Sequence, residues 1–390
     1  MSFHISPEDK DRLQSAFQRK DLSLYLGAGV SVANGLPDWE KLVLAMYFST
    51  ISEQYMNGWK PYSNYLYAIA EWYLDYAEEP LEITARKLRK FLSSDEDGDR
   101  KFVESLYSTL YSHFLREDGV LIDYVEPYFL RDRNATLRSV AELCEKGSDH
   151  TGVRSVITYN YDDLLETILQ QTPYQSIFRN SEYEEGKLPI YHVHGFVPLT
   201  PDREGSKGNE IVFTEDQYHT VARDPYYWSN LIQVKTMANS VGIMIGLSLA
   251  DRNMRRLLDA VTNAPIDAKN YALLQRPANM IPNTEVIDEI HATAIKYYDK
   301  FENSGIKSDR TSDEVFFRNA RVGIKSSERA PMGGGIKGAT VYQSQIAGII
   351  EQVQMLNEEQ QNYIMQELGI TPIWYDEHSE IPEILNDLFG

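Results

Sequence analysis

Cysteine is nearly missing from this chain: Cys144 is the one thiol among 390 residues. That excludes an internal disulfide and any zinc site built on several cysteines. Long apolar runs are missing too. No stretch approaches the roughly 20 apolar residues that cross a bilayer, and the opening MSFHISPEDKDRLQ lacks the apolar core of a secretion signal. A cytoplasmic protein without a membrane partner is therefore expected. Positive charge is scarce: 38 Lys and Arg against 58 Asp and Glu give a net charge of −20. Such a surface repels a phosphate backbone, which argues against direct nucleic-acid binding. The local basic stretch Arg86-Lys87-Leu88-Arg89-Lys90 reads as one solvated helix face.

What is present is an alternation of short apolar runs and helical patterns. LSLYLGAG, residues 22–29, suits a buried parallel strand running into a turn, and DWEKLVLAMYFSTIS, residues 38–52, suits a helix that follows it. Strand patterns resume at 154–160, 189–195, 210–214, 240–246 and 270–274, with helices over 161–170 and 251–262 between them. The last residues, ITPIWYDEHSEIPEILNDLF, predict one more strand and a closing helix. The fold class expected is α/β, a Rossmann-like parallel sheet with an inserted α-helical subdomain. Residues 1–52, 151–281 and 369–390 would build the sheet domain. Residues 53–150 would form the helical insertion, and 282–368 a helical and linker insertion containing the Gly/Ser/Lys-rich stretch 303–339. The aromatic run 62–76 reads as subdomain core or an oligomer surface.

The turn after the first strand is Gly27-Ala28-Gly29-Val30-Ser31, followed by Val32-Ala33-Asn34-Gly35-Leu36-Pro37-Asp38-Trp39. A glycine turn at a helix entrance lets backbone N–H groups approach a phosphate. The third glycine of the general dinucleotide fingerprint is replaced by Val32. The longer segment closely resembles the cofactor-loop signature of the sirtuin superfamily, GAG-(I/V)-S followed by G-(I/L)-P-D and an aromatic. Thr158-Tyr159-Asn160-Tyr161-Asp162 resembles that family's T-x-N-x-D, His194-Gly195 its catalytic His-Gly, and Gly246-Leu247-Ser248-Leu249 its G-(T/S)-S element. The resemblance covers about residues 20–50, 150–275 and the last 20.

The resemblance implies NAD as ligand, with Gly27, Ala28, Gly29, Ser31, Pro37, Asp38, Thr158, Gly246 and Ser248 as cofactor-binding positions and His194, Asn160 and Asp162 as catalytic ones. His194 would be the general base, Asn160 would orient water or ribose, and Asp162 would bind the ribose or fix the loop. Those residue types suit a glycosidic bond whose transition state has oxocarbenium character. Ser31 and Ser248 would meet phosphate or the adenine ribose, and Asp38 would cap its helix and support the nicotinamide pocket. Sirtuin deacylases carry two C-x-x-C pairs after His-Gly, and no cysteine follows Cys144 here; their Phe-Arg is Trp39-Glu40. No zinc or other metal is expected. Both departures are similar to the bacterial sirtuin-like NADases of anti-phage defence, in which water replaces acyl-lysine and NAD itself is the substrate. The segments 246–258 and 373–385 resemble members of that group, some of them partnered with a HerA-like ATPase. A homo-oligomer is the default assembly.

Blander readings accompany each residue. His192, two residues before His194 and assigned to the same strand face, is a second candidate base. Asn160 and Asp162 also suit a strand-end turn and helix cap, and Asp251 suits the cap of the helix at 252–262. ADP-ribosyl transfer, lysine deacylation and a non-catalytic NAD or ADP-ribose sensor are the rival functions.

Overall fold

A computed structural model of the protein describes residues 5–55, 63–76, 80–93, 98–116, 121, 127–148, 150–200, 210–249, 251–264, 269–276 and 356–390, with a few single positions between 289 and 353. The chain divides into two compact units, Met1–Gln275 with Met365–Gly390, and Arg276–Ile364. In the second unit the run 356–364 is helical, and Arg276 Nε lies 3.6 Å from the Glu358 carboxylate. The helical expectation around 284–301 and the linker at 303–339 fall almost wholly outside the described residues.

The first unit is built on a seven-stranded sheet in the order β3-β4-β2-β1-β5-β6-β7, with every pairing parallel. The strands are β1 (Leu22–Leu26), β2 (Val153–Thr158), β3 (Tyr174–Ile177), β4 (Leu188–His192), β5 (Val241–Ile245), β6 (Asn270–Gln275) and β7 (Ile370–Tyr375). A strand covered on both faces needs no polar side, and all five residues of β1 are buried. Leu24, Leu26, Val156, Ile190 and Ile243 point to one cluster, while Tyr25, Ile157, Met244 and Ala272 point to the other. The first face is covered by α1 (Pro7–Gln18), α2 (Trp39–Tyr55), α7 (Ala135–Glu145), α8 (Leu164–Ile168) and the closing helix α12 (Ile381–Phe389). The second is covered by α10 (Trp228–Asn239) and α11 (Arg252–Thr262). The fold is thus the α/β, Rossmann-like parallel sheet expected, with its final strand and helix in place.

Between β1 and β2 the regular elements among the described residues are helical: after α2 come α3 (Ser63–Tyr76), α4 (Leu81–Leu92), α5 (Gly98–Leu110), α6 (Pro127–Arg133) and α7. Ala85, Leu88, Phe102 and Leu106 of α4 and α5 belong to the same core cluster as β1. On α3 the aromatic run leaves Tyr65, Trp72 and Tyr76 largely exposed, with Trp72 and Tyr76 stacked 5.2 Å apart.

Several local expectations are corrected. The apolar run 210–214 is not a sheet strand: β3 occupies the place beside β4, and Val212 makes one backbone bond, its N–H donating to the His194 carbonyl at 2.9 Å. The side chains of 211–214 nonetheless bury, Phe213 completely, which is why the run reads as a strand. β3, with the sequence YQSI, was not foreseen because its half-buried polar residues carry little apolar signal. The helix expected over 161–170 shrinks to α8, and the strand expected over 189–195 ends at His192.

Candidate functional site

The chain steps from β1 outward to β2 on one side and later returns to place β5 on the other, so strand order reverses at β1. Open α/β sheets offer a crevice at the carboxyl ends of the strands at such a reversal. Four of the resembling segments lie there: Gly27–Ser31 after β1, Tyr159–Asp162 after β2, Val193–Gly195 after β4, and Gly246–Asp251 after β5.

The glycines are demanded first by backbone packing. The Gly27 N–H donates to the Ile245 carbonyl and the Gly29 N–H to the Gly246 carbonyl, both at 3.0 Å. A Cβ on Gly27 would sit 2.4 Å from the Gly246 carbonyl oxygen. These two donors therefore join the β1 and β5 loops. Gly246 itself is left-handed, at φ +67°. Ser31 is buried and donates to the Asp162 carboxylate at 3.0 Å, so the structure assigns it a partner within the protein. Ala28 and Pro37 are half-buried, and Asp38 accepts the Lys41 N–H at 2.9 Å, capping α2. Ser248 is exposed beyond β5.

Asn160 is half-buried and reaches back to the glycine turn, donating through Nδ2 to the Gly27 carbonyl at 3.0 Å and to Ser31 Oγ at 3.3 Å. Thr158 holds it from below, its hydroxyl accepting the Asn160 N–H at 3.1 Å. Asp162 accepts the N–H of Leu164, the first residue of the short helix α8, at 3.1 Å. Burial pushes the Asp162 carboxyl up to about 6, against the hydrogen bonds from Leu164 and Ser31. A small, partly open pocket, with room for about one water molecule, is lined by Ser31, Thr158, Asn160, Asp162 and Glu166 together with apolar side chains.

The two histidines part company. β4 ends at His192, the chain turns, and Gly195 takes φ +104°, where a Cβ would meet the Glu210 carbonyl at 2.9 Å. His192 and His194 consequently do not share a strand face, as alternation in an unbroken strand would require. His192 is fully buried, with Nε2 2.6 Å from Glu166 Oε1 on α8 and its ring 4.5 Å from Phe196. Burial opposes both charges, but each holds the other: Glu166 stays below the usual carboxylate range and His192 above the usual imidazole range. His194 lies across the sheet plane, its ring edge-on to Tyr159 at 5.2 Å and to Tyr218 at 5.1 Å. Tyr218, on α9 (Glu215–Arg223), places its hydroxyl 3.3 Å from His194 Nδ1, and Asp251 Oδ2 is 3.6 Å from Nε2. Burial lowers the His194 pKa, and Asp251 and the Tyr159 carbonyl act the other way.

Three participants escaped the sequence reading. Asn134, almost fully buried at the N-cap of α7, donates to the Val30 carbonyl and to Asn34 Oδ1, both at 2.7 Å, and so pins the loop after β1. Tyr218 and Glu166 lie on helices whose patterns say nothing about the histidines they meet. An N-cap asparagine three residues ahead of a Leu was a legible signal for Asn134; its reach to residues 30 and 34 was not.

Sheet order and the loop cluster at its reversal point define a Rossmann-like α/β domain. Residues 154–298 match the family model described as SIR2-like domain, which supports a sirtuin-like family for the chain. Domains of that kind bind NAD and are commonly NAD-dependent enzymes. No curated protein matches the chain. Among the described residues there is no group of His, Cys, Asp and Glu suited to hold a metal ion, and no helix long and apolar enough to cross a membrane.

Proposed function

We propose that the protein is an NAD glycohydrolase, cleaving NAD to nicotinamide and ADP-ribose. What supports this reading is that the Gly27–Ser31 loop, Asn160 and the His194-Gly195 turn all follow the carboxyl ends of adjacent parallel strands. Asn160 is tied to the loop by its own amide, and His194 packs on Tyr159, its chain neighbour. In the reaction the glycosidic C–N bond breaks with its electron pair leaving on nicotinamide, water adds to the ribose carbon, and one proton is released. His194 would take that proton, Asn160 would orient the water, and Asp162 would fix the loop through Ser31 or meet the ribose. Gly27, Ala28, Gly29, Pro37, Asp38, Thr158, Gly246 and Ser248 would surround the dinucleotide.

Hydrolysis is favoured over lysine deacylation because Cys144 is the only cysteine and lies buried on α7, so no zinc ribbon is present. The resemblance to anti-phage proteins supports a defence role by NAD depletion in the cytoplasm, as a homo-oligomer with a HerA-like ATPase as partner. Purified protein, alone and with the co-expressed neighbouring gene product, is incubated with NAD and the products are separated. Nicotinamide and ADP-ribose in equal amounts, abolished in Asn160→Ala and His194→Ala, is the expected result. Acyl-peptide-dependent release would replace hydrolysis with deacylation, and NAD uptake without product would leave a sensor.

A further inference from the structure

The loop after β5 does more than cap a helix. Leu249, buried in the second core cluster, adopts a left-handed backbone at φ +56°, a conformation that costs a branched residue energy and persists only where packing enforces it. Two residues on, Asp251 accepts the Met254 N–H at 2.7 Å through Oδ1, which fixes the carboxylate, and its other oxygen, Oδ2, faces His194 Nε2 at 3.6 Å. On the other side of the ring stands the Tyr218 hydroxyl at 3.3 Å from Nδ1. The imidazole thus has a polar neighbour at each nitrogen, Tyr218 within hydrogen-bond distance and Asp251 just beyond it, and is 7% exposed.

From this geometry we infer that Asp251 is the positioning carboxylate of the site, orienting His194 and stabilising the imidazolium that forms when His194 takes a proton. The inference rests on the hydrolase reading for its kinetic consequences and on contact geometry alone for its electrostatic ones. A buried imidazole that must become charged needs a nearby anion, because desolvation otherwise penalises its protonated form. The ionisable groups facing it are Tyr159 beside β2, Tyr218 on α9 and Asp251 ahead of α11; Tyr161 lies within the field of Asp251. Further out, Arg252 spans Glu82 and Glu215 at 3.9 and 4.0 Å, and its exposed guanidinium gives solvent-screened balance rather than a contact to the ring.

Asp251→Asn separates the two jobs of this side chain, since asparagine caps a helix as well as aspartate does but carries no charge. The variant is expected to keep its melting behaviour, to lose at least about tenfold in kcat with KM for NAD changed far less, and to move the acid limb of its pH profile to lower pH. A parallel titration of histidine side chains by NMR, with the His194 signal assigned from His194→Gln, reads the imidazole without turnover. There the His194 midpoint is expected to fall in Asp251→Asn. An unchanged midpoint overturns the inference whatever the enzyme does. If wild-type protein releases no nicotinamide while the midpoint still falls, it is the hydrolase reading that fails and the pairing that stands.

Discussion

Asp162 keeps a carboxyl out of water, and burial is the largest influence on it, with Leu164 and Ser31 offsetting part. A folded-state value of about 6 against 3.8 means that the fold prefers the protonated form. Its contribution is therefore fully present below pH 3.8, declines as pH rises toward 6, and is gone above. At about 1.36 kcal/mol per unit this amounts to roughly 2–3 kcal/mol. Asp162→Asn retains an acceptor for Leu164 and Ser31 without the titration. Urea unfolding at pH 4 and pH 7 should show the variant gaining on wild type by about that amount at the higher pH; parallel curves at the two pH values would contradict it. The His192 and Glu166 pair behaves in the opposite manner. Glu166, held low, stabilises above its unfolded value of 4.5, and His192, held high, stabilises below 6.5, so the pair contributes most between those limits. Glu166→Ala strands a buried imidazole and is expected to cost about 3–5 kcal/mol near pH 5.5, read from the urea midpoint.

Among elements, the loops carry the site and the helices hold the loops. Asn134 caps α7 through the Leu137 N–H at 2.9 Å and simultaneously grips residues 30 and 34. Asn134→Ala removes one cap and two buried hydrogen bonds. A loss of about 2–4 kcal/mol is expected by calorimetric or denaturant melting. NAD affinity measured by calorimetry should fall with it, whereas Asn134→Asp, which keeps the cap but not the amide donors, separates helix stability from loop position. The strands β1, β2, β5, β6 and β7 were legible because buried parallel strands are short apolar runs, and the glycine, Asn160 and His-Gly segments were legible by their resemblance and their place at strand ends. Polar β3 and the unpaired run 210–214 were not, since apolar content reports burial and burial does not require a ladder. The separate fates of His192 and His194 were hidden for a related reason: alternation holds only while the strand continues, and the turn that follows His192 ends it.

For the molecule as a whole, charge sets the terms of association. A net charge of −20 makes copies of the chain repel one another at low salt. If a homo-oligomer forms, its population measured by sedimentation should rise between about 50 and 300 mM NaCl, where the screening length falls from roughly 14 to 6 Å; a constant mass of 44.8 kDa at all salt concentrations would count against self-association. The position of β1 has a different consequence, for how the chain acquires its shape. Leu22 pairs with Val153 on one side and Val241 on the other, roughly 130 and 220 residues downstream. During synthesis the central strand emerges first and waits for both neighbours. Closing such long loops is slow, and an unpaired apolar strand invites aggregation meanwhile. Helix α1, already made, and helices α2 and α4 to α7, which arrive in that interval, share the core cluster of β1, so one face of this strand is covered before its neighbours are synthesised.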